Sequence, residues 1–559
     1  MSNVRIRASY DSFRDLREND AYYIDKTDLI EEYLIRRFDK ALLFARPRRF
    51  GKTLTMTMMR DFLDIRQDSR DIFSGLKIMD HPDVVNAYMN QYPVIFLSLK
   101  EVFADTFEGV FDNYRLIIAN YCKTIEDIIT VDENSEADKE IFRALVFQRA
   151  DEVNTVAALD LLSRMLNIHY GKQVFIIIDE YDVPMAKALG TPYYDKVRDM
   201  VEHMLSYVCK TNGNVKGILL SGCLYTVKNS TYTGVNNILP YTVLTPVYAS
   251  SIGFTDEDVR KLLGDAGLAE RYEMVTEWYD GYMFGRDKMY CPWDVLSYVR
   301  SVLDGTYDED RGPESYWLNT SEASLNLIHG LLGKGDGTIE NLERLLAGQT
   351  VDCTVDEFVP YHRIHEHGAN LWSALVETGY LTKAVAGRPP LMPLRIPNRS
   401  IQTVFRQQVW DFFNDKVDNA FVRDVVNALW AGQTDAARHA LSQILEAALS
   451  FYHEYHEYSY HLILDGFFTG LGYRVQSERE TGYGRSDLII LDPARQRCLI
   501  LELKHVKKEE DMEAALAEAS SQIIQKKYGS QLRYEGYRTR LRYAMAFFDK
   551  RALIASVAR

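Results

Sequence analysis

The sequence has few cysteines, no long apolar run and no excess of basic residues, and each of these absences excludes a class of protein. Its six cysteines include no CxxC pair, so neither a cysteine-based zinc site nor a disulfide framework is indicated. The longest apolar runs, such as 174–178, are far shorter than the roughly 20 residues that a membrane span needs. The first residues contain no apolar core of a signal peptide, so we expect a cytoplasmic protein without a membrane partner.

The formal net charge of −15 argues against a protein that coats nucleic acid through overall positive charge, although it leaves room for a locally basic channel. At 559 residues the chain is too long for a single core. Typical domain lengths of about 100–200 residues predict two to four domains. We place their boundaries so that the domains span 1–250, 251–445 and 446–559.

The stretch 41–55, ALLFARPRRFGKTLT, has the order of a phosphate-binding P-loop. Its apolar start predicts a buried strand, and a helix-forming segment follows Gly51-Lys52-Thr53. In a P-loop the backbone amides at the helix start face the phosphates, the lysine reaches the β- and γ-phosphates, and the hydroxyl ligates Mg²⁺. The pattern therefore predicts that Gly51, Lys52 and Thr53 bind ATP with Mg²⁺.

This loop departs from the usual GxxxxGK[ST] pattern, because the position of the first glycine is occupied by Arg46. A glycine there lets the loop turn tightly with positive φ, whereas Pro47 fixes one φ and three arginines add positive charge. We place Arg46 and Arg49 among the nucleotide-binding residues. The competing interpretation is an ordinary strand–helix junction with a solvated basic loop.

A second apolar run ends in Asp179 and Glu180 and has the form of a Walker B element. Such a run fits a strand that is buried on both faces of a parallel sheet, where ligands bind at the carboxyl ends of the strands. We expect Asp179 to hold Mg²⁺ and Glu180 to orient and activate the attacking water. A strand that merely ends in two acidic turn residues is the alternative. A polar residue after the next predicted strand, 215–220, could sense the γ-phosphate.

A second set of chemically active residues lies near the C-terminus, where a hairpin is predicted to turn through 492–497. This hairpin brings Asp487 close to Glu502, and Lys504 shares a face with Glu502 because side chains two apart on a strand do so. Two carboxylates and a lysine suit a metal-dependent phosphodiesterase. Asp487 and Glu502 would bind Mg²⁺, which lowers the pKa of a bound water, and Lys504 would position or deprotonate the nucleophile.

Two further residues could complete this second site. Glu480, seven residues before Asp487, supplies another carboxylate, and Gln522 lies on a predicted helix from which it could hydrogen-bond. Charged residues at the edge of a hairpin usually form a solvated face. Glu502 and Lys504, however, interrupt a strongly apolar strand, where an inward-pointing pair is costly unless it is partnered or functional.

Taken together, these motifs make the chain resemble the bacterial and archaeal two-part proteins with an AAA-ATPase-like domain followed by a PD-(D/E)XK nuclease superfamily domain. The resemblance covers nearly the whole chain and includes YIDKT at 23–27, RPRRFGKT at 46–53, DEYD at 179–182, WYDGY at 278–282, ETGYGRSD at 480–487 and LELK at 501–504. It implies that Lys52, Thr53, Asp179 and Glu180 serve the nucleotide. It also implies that Asp487, Glu502 and Lys504 form the nuclease site.

We therefore predict an α/β protein with an N-terminal AAA-like parallel sheet, a helical middle region that acts as a lid or coupling domain, and a C-terminal restriction-endonuclease-like core. The predicted function is an ATPase that controls Mg²⁺-dependent cleavage of nucleic acid, with DNA favoured over RNA. The alternatives are a nucleotide-switched binding protein that does not cleave, and a nuclease that acts on RNA. AAA-like ATPases often complete their site with a neighbour's arginine, which would make the protein a homo-oligomer, but the sequence nominates no such arginine.

Overall fold

The fold is given by a computed structural model that describes most of the chain, namely residues 4–129, 134–210, 212–225, 235–309, 312–317, 327–331, 338–384, 391–414, 419–448, 457–481, 484–526, 532 and 536–558. These residues form two compact units. The N-terminal unit comprises Met1–Ala323 and Asp352–Ser400, and the C-terminal unit comprises Ser324–Val351 and Ile401–Arg559. The three-part division of the chain that its sequence suggests stays a prediction.

The N-terminal unit is built on a five-stranded parallel sheet. In chain order its strands are β1 (Ala41–Ala45), β2 (Val94–Ser98), β3 (Val174–Asp179), β4 (Val215–Gly222) and β5 (Leu239–Tyr241). Their order in the sheet is β2-β3-β4-β1-β5. Strand β3 is buried at every position, as its uninterrupted apolar run predicts for a central parallel strand. Because all five strands are parallel, their carboxyl ends meet at one edge of the sheet.

Many of the α-helices of this unit contribute to two hydrophobic clusters, one around the five-stranded sheet and one formed largely by the helices between 256 and 303. The α-helices of the unit are Phe13–Glu18, Asp28–Glu31, Lys52–Leu63, Arg70–Phe73, Pro82–Tyr88, Phe107–Lys123, Glu126–Ile129, Glu136–Val146, Glu152–Val156, Ala158–Tyr170, Val183–Ala188, Tyr194–Cys209, Asp256–Ala266, Tyr272–Tyr279, Pro292–Leu303 and Gly368–Glu377. The helix Lys52–Leu63 packs against β3 and β4, which fixes the start of that helix beside the ends of the strands.

The predicted helical middle region also contains two small sheets. One has the order β6-β8-β7, with strands β6 (Phe254–Thr255), β7 (Tyr282–Phe284) and β8 (Asp287–Tyr290). The other has the order β10-β11-β9, with strands β9 (Val351–Thr354), β10 (Thr382–Lys383) and β11 (Leu391–Arg395). The aromatic run at 278–299 lies in the middle region that the sequence predicts to be helical. It folds partly into the β7–β8 hairpin, because Gly285 adopts a φ of 52° that closes a two-residue turn.

The C-terminal unit carries a second five-stranded sheet, in which β14 and β15 are parallel and the other neighbours are antiparallel. Its strands, in both chain and sheet order, are β12 (Arg474–Thr481), β13 (Gly484–Asp492), β14 (Arg497–His505), β15 (Thr539–Phe548) and β16 (Arg551–Ser556). The α-helices in this part are Thr338–Leu346, Arg399–Asn414, Asn419–Ala431, Thr434–Ala448, Glu457–Gly470 and Met512–Gln525. Among the residues described, no helix is long and apolar enough to cross a membrane.

Candidate nucleotide and nuclease sites

The loop between β1 and the helix Lys52–Leu63 has the backbone of a phosphate-binding turn. Gly51 adopts a left-handed conformation with φ of 94°, which a residue with a side chain rarely adopts. No side chain caps the N-terminus of the helix that follows. The amides of its first turn therefore point out of the helix start without a side-chain acceptor, as the binding of a phosphate requires.

Lys52 is the buried cation of this site, with only 3% of its surface exposed. Its Nζ donates a hydrogen bond to the Pro47 carbonyl at 3.3 Å and lies 3.6 Å from Oε1 of Glu180. Burial acts to lower the pKa of Lys52, but the nearby Cys223, Glu180 and Asp182 groups outweigh it and raise the pKa. The ammonium group therefore stays charged although it is removed from water.

The hydroxyl of Thr53 donates a hydrogen bond to Oδ2 of Asp179 at 2.9 Å, so the P-loop and the end of β3 meet directly. The other carboxylate oxygen of Asp179 accepts from the hydroxyl of Ser221, the polar residue at the end of β4. Burial and the neighbouring Glu180 raise the pKa of Asp179. A hydroxyl and a carboxylate oxygen together suit a hard cation, so Thr53 and Asp179 fit Mg²⁺.

Glu180 has a backbone conformation that is unusual for a residue with a side chain, with φ of 54°. A left-handed conformation of this kind costs on the order of 1–3 kcal/mol and is found most often at functional sites. It turns the carboxylate toward Lys52, at 3.6 Å. The structure thus brings together Lys52, Thr53, Asp179 and Glu180, four of the seven residues that the sequence assigns to the nucleotide site.

Arg46 lies elsewhere, since its side chain is fully buried beneath the loop. Its Nη1 donates to the carbonyls of Ala45 at 2.9 Å and Tyr241 at 2.6 Å, and its Nη2 donates to that of Tyr248 at 2.8 Å. Burial lowers the pKa of Arg46 to about 10, against the opposing charge of Glu377. The geometry therefore gives this side chain a structural role and does not favour its prediction as a nucleotide-binding group.

The Arg49 side chain packs against an aromatic ring. Its guanidinium stacks over the Trp293 ring at 4.0 Å, and its backbone has a φ of 71°. The thiol of Cys291 donates to the Arg49 carbonyl at 3.6 Å. The structure does not bring the Arg49 side chain together with the other predicted residues of the nucleotide site.

Two residues of the nucleotide site were missed in the sequence. Asp182 is buried, with only 1% of its surface exposed. It accepts hydrogen bonds from the backbone N–H groups of Cys223 at 2.9 Å and Leu224 at 3.0 Å, and from the hydroxyl of Tyr361 at 3.0 Å. Asp182 belongs to the DEYD motif, so its spacing from Glu180 was a usable signal. Tyr361 lies 179 positions further along the chain and carries no local signal.

In the C-terminal unit, the hairpin of β13 and β14 brings Asp487 to Glu502 as predicted from the turn. Leu488 lies opposite Leu501. Asp487 precedes Leu488 and Glu502 follows Leu501, so the two acidic residues lie on the same side of this pair. Oδ2 of Asp487 accepts the backbone N–H of Leu503 at 2.7 Å. Glu502 is buried, with only 1% of its surface exposed.

The side chains of β14 alternate between the two faces of the sheet, and this alternation shows on which face Glu502 and Lys504 lie. Ile500 packs in the hydrophobic cluster formed with the helix Met512–Gln525. Because alternate side chains share a face, Glu502 and Lys504 lie on the same side of the sheet as Ile500. Gln522 is part of that helix and is half-buried. The structure therefore places the predicted glutamine on the side of the sheet where the acidic residue and the lysine lie.

The structure describes fewer side-chain contacts for the remaining residues of this site. The backbone of Glu480 pairs with that of Arg485 in the β12–β13 ladder, but the Glu480 side chain lies outside the described residues. His461 contacts the main chain of Asp487, with Nε2 2.9 Å from the carbonyl oxygen. No group of three or more His, Cys, Asp and Glu residues in the described part of the chain could hold a metal ion. The two carboxylates Asp487 and Glu502 are nevertheless oxygen ligands of the kind that Mg²⁺ prefers.

Comparisons with known proteins identify two domains in the chain. A family model described as "Predicted AAA-ATPase" matches residues 7–232, and one described as "PD-(D/E)XK nuclease superfamily" matches residues 455–556. The chain is similar to the "Uncharacterized protein in vnfD 5'region" of Azotobacter chroococcum mcd 1, with 24% identity over 408 residues that cover 72% of this chain and 69% of the relative.

Among solved structures, the chain is similar to the Aeropyrum pernix ORC2 protein in its ADPNP–ADP complexes. The match has 10% identity and a TM-score of 0.25, and it covers 68% of this chain and 93% of that one. A likeness of this size carries no argument about function. The two family matches agree with the parallel sheet, the P-loop and the C-terminal mixed sheet. The chain therefore combines an N-terminal domain of the predicted AAA-ATPase family with a C-terminal domain of the PD-(D/E)XK nuclease superfamily.

Proposed function

We propose that the N-terminal unit hydrolyses ATP with Mg²⁺ and that the C-terminal unit cleaves nucleic acid, with DNA favoured over RNA, under control of the bound nucleotide. The observation that carries this proposal is the direct bond between the Thr53 hydroxyl and the Asp179 carboxylate, with the Lys52 ammonium buried beside Glu180. In P-loop NTPases these four residue types serve the phosphates, the metal and the attacking water.

Each side chain of the nucleotide site has a role that its surroundings support. Lys52 is buried, so its charge is weakly screened and would act strongly on phosphate oxygens. Thr53 and Asp179 would hold Mg²⁺, which neutralises phosphate charge when bound. Glu180 would orient the attacking water and accept its proton. Its ion-pair distance of 3.6 Å from Lys52 keeps the carboxylate at the phosphate end of the site.

The nuclease proposal is supported by the convergence of Asp487, Glu502 and Lys504 on neighbouring strands. Asp487 and Glu502 would hold a divalent cation, and Lys504 would position or deprotonate the nucleophile. The Leu503 N–H that bonds to Asp487 fixes the orientation of that carboxylate. Gln522 would hydrogen-bond at the same face. Nucleic acid is therefore the proposed partner, and the cysteines, which are free and buried, fit a reducing cytoplasm.

The test is cleavage of single- and double-stranded DNA and RNA in Mg²⁺, with and without ATP. Wild type is compared with Glu502→Gln, which keeps the side-chain shape, and with Glu513→Gln, an exposed glutamate on the helix Met512–Gln525. We expect Glu502→Gln to abolish cleavage and Glu513→Gln to retain it. Chelation of the metal should also abolish cleavage, whereas mere binding would survive chelation and weaken with salt.

Lys52→Ala separates the two activities in the same assay. We expect it to abolish ATP turnover and the response of cleavage to ATP. Cleavage by wild type that is identical with and without ATP would contradict nucleotide control. ATP turnover without cleavage of any substrate would instead support the nucleotide-switched binding protein.

A further inference from the structure

The loop RPRRF contains three arginines, and the structure leaves one of them unassigned. Arg46 is bound to three carbonyl groups beneath the loop, and Arg49 stacks on Trp293. The guanidinium of Arg48 has no hydrogen bond or ion pair with any residue that the structure describes. It is also only partly buried. Arg48 is therefore the arginine of this loop whose donors are available to a ligand.

The backbone at Arg48 is held firmly on both sides. The Trp317 indole N–H donates to the Arg48 carbonyl at 3.4 Å. On the preceding residue, Pro47, the chain is packed so closely against Gly379 that a Cβ at Gly379 would lie 2.8 Å from the Pro47 Cβ. Pro47 also has a fixed φ. The base of the Arg48 side chain is thus oriented before any ligand binds, which reduces the entropy lost on binding.

The surroundings of Arg48 show where its guanidinium lies. The groups that act on it electrostatically are Cys223, Tyr361, Glu180 and Asp182. Three of these four, Cys223, Glu180 and Asp182, also act on the Lys52 ammonium. The geometry agrees, because the Lys52 ammonium donates to the carbonyl of Pro47, the residue before Arg48, at 3.3 Å and lies 3.7 Å from the Cys223 sulfur. Arg48 therefore lies beside Lys52 at the carboxyl ends of β3 and β4.

The charge of this space explains why two cations are stable in it. Burial raises the pKa of the Cys223 thiol to about 11, so the thiol is neutral at pH 7. Glu180 and Asp182 then supply the negative charge. Burial acts to lower the pKa of Arg48, but nearby groups, which include Glu180 and Asp182, outweigh burial and raise the pKa. The guanidinium remains charged, as recognition of a phosphate requires.

We propose that Arg48 binds the terminal phosphate of ATP from within the same chain and stabilises the charge that develops there during hydrolysis. The proposal rests on the proposed ATPase function. In that reaction the water oxygen bonds to the γ-phosphorus and its proton passes to Glu180. The bond to the β–γ bridging oxygen breaks, and ADP leaves with the electron pair. A guanidinium offers paired N–H donors that match two phosphate oxygens.

The assignment has a consequence for assembly. AAA-like ATPases often receive such an arginine from a neighbouring subunit, whereas Arg48 is part of the P-loop that carries Lys52. Turnover per chain is therefore expected to be independent of protein concentration. An arginine placed at the terminal phosphate contributes about 10³-fold or more to turnover in related reactions.

The first experiment measures ATP turnover and the affinities for ATP and ADP in wild type, Arg48→Ala, Arg48→Lys and Lys52→Ala. Arg70→Ala, at an exposed position of the same unit, is the matched control. We expect Arg48→Ala to lower kcat about 10³-fold and to remove the preference for ATP over ADP, with ADP affinity within about threefold of wild type. Arg48→Lys should recover binding but little turnover, because lysine lacks the paired donors.

The second experiment mixes Arg48→Ala chains with Lys52→Ala chains. Each lacks turnover alone, and each keeps the residue that the other lacks. No recovery in the mixture supports an arginine acting within its own chain, and recovered turnover would overturn that assignment. Thermal unfolding of Arg48→Ala should show a single cooperative transition well above the assay temperature, so that the lost turnover is not caused by unfolding.

The outcomes distinguish this inference from the proposed function. Wild-type turnover in Arg48→Ala, with Lys52→Ala inactive, would overturn the inference and leave the ATPase function intact. If wild type itself bound nucleotide without turnover, the ATPase function would fail. In that case the ATP and ADP affinities still test whether Arg48 binds the terminal phosphate. An unchanged preference for ATP over ADP in Arg48→Ala would overturn that role.

Discussion

Replacing Arg46 by methionine tests whether this residue supports the fold or binds the nucleotide. The loop pattern places Arg46 where a P-loop has its first glycine, which suggested a phosphate contact. The structure instead buries the side chain completely and directs it to the carbonyls of Ala45, Tyr241 and Tyr248. Methionine keeps an unbranched apolar stem and removes all three bonds. We expect Arg46→Met to lower the stability of the N-terminal unit.

The magnitude follows from two opposing contributions. A hydrogen bond to a charged group stabilises a protein by about 1.5–3 kcal/mol, and Arg46 makes three. Burial of the cation has a cost, and the lowering of the pKa of Arg46 to about 10 corresponds to about 3 kcal/mol. Three such bonds contribute about 4.5–9 kcal/mol, so the net loss is about 1.5–6 kcal/mol. For a unit of this size, roughly 1–2 °C accompanies each kcal/mol, so the melting temperature should fall by several degrees.

The assay combines thermal unfolding with ATP affinity measured well below the melting temperature. Arg70→Met, at an exposed position, controls for the loss of a positive charge. We expect Arg46→Met to melt earlier and to retain ATP affinity within a few-fold while folded. An unchanged melting temperature together with an affinity loss of about tenfold or more, equivalent to about 1.4 kcal/mol, would refute this reasoning and return Arg46 to the phosphate site.

Three further predictions concern the same unit. Tyr361→Phe removes the hydroxyl that donates to buried Asp182 at 3.0 Å, so a denaturant titration should show a loss of about 1–3 kcal/mol, and wild-type stability would contradict the bond. Asp294 is fully buried, and burial raises its pKa from 3.8 to about 7, so the unit should lose a few kcal/mol as pH rises from about 4 to 7.5. Asp294→Asn should remove that pH dependence, and a slope that persists in the variant would contradict it. Thr53→Ala removes the hydroxyl bonded to Asp179, so half-maximal ATP turnover should need at least about tenfold more Mg²⁺, and an unchanged requirement would contradict the metal assignment.

The parts of the fold that could be predicted are those with a strong local pattern. The apolar runs at 41–45 and 174–178 became β1 and β3, because an uninterrupted apolar run in a chain of this composition can only be buried. The polar segment 492–497 lies at the turn of the β13–β14 hairpin, since the strands on both sides are apolar. The β7–β8 hairpin of the middle region was missed because strands of three and four residues are too short to show a period.

The same distinction holds for the sites. Lys52 and Thr53 are adjacent, and Asp179 ends an apolar strand, so motif and strand direction together predicted that they meet. Asp487 and Glu502 both lie next to the Leu488–Leu501 pair because the hairpin aligns the two strands. Tyr361 reaches Asp182 from 179 positions away, a contact that depends on how the whole unit packs and leaves no trace in local spacing.

The roles of the three arginines in the RPRRF loop could not be predicted from the motif. A motif states which residues are present and in what order, but not the direction of each side chain. Here Pro47 fixes one backbone angle, and Arg49 and Gly51 both take left-handed conformations, so successive side chains diverge sharply. Arg46 points into the core, Arg49 lies on Trp293, and Arg48 is left facing Lys52. The three guanidinium groups therefore differ in role. Arg46 holds the loop in place, whereas Arg48 is the residue that we propose binds the phosphate, and the packing around each guanidinium separates the two roles.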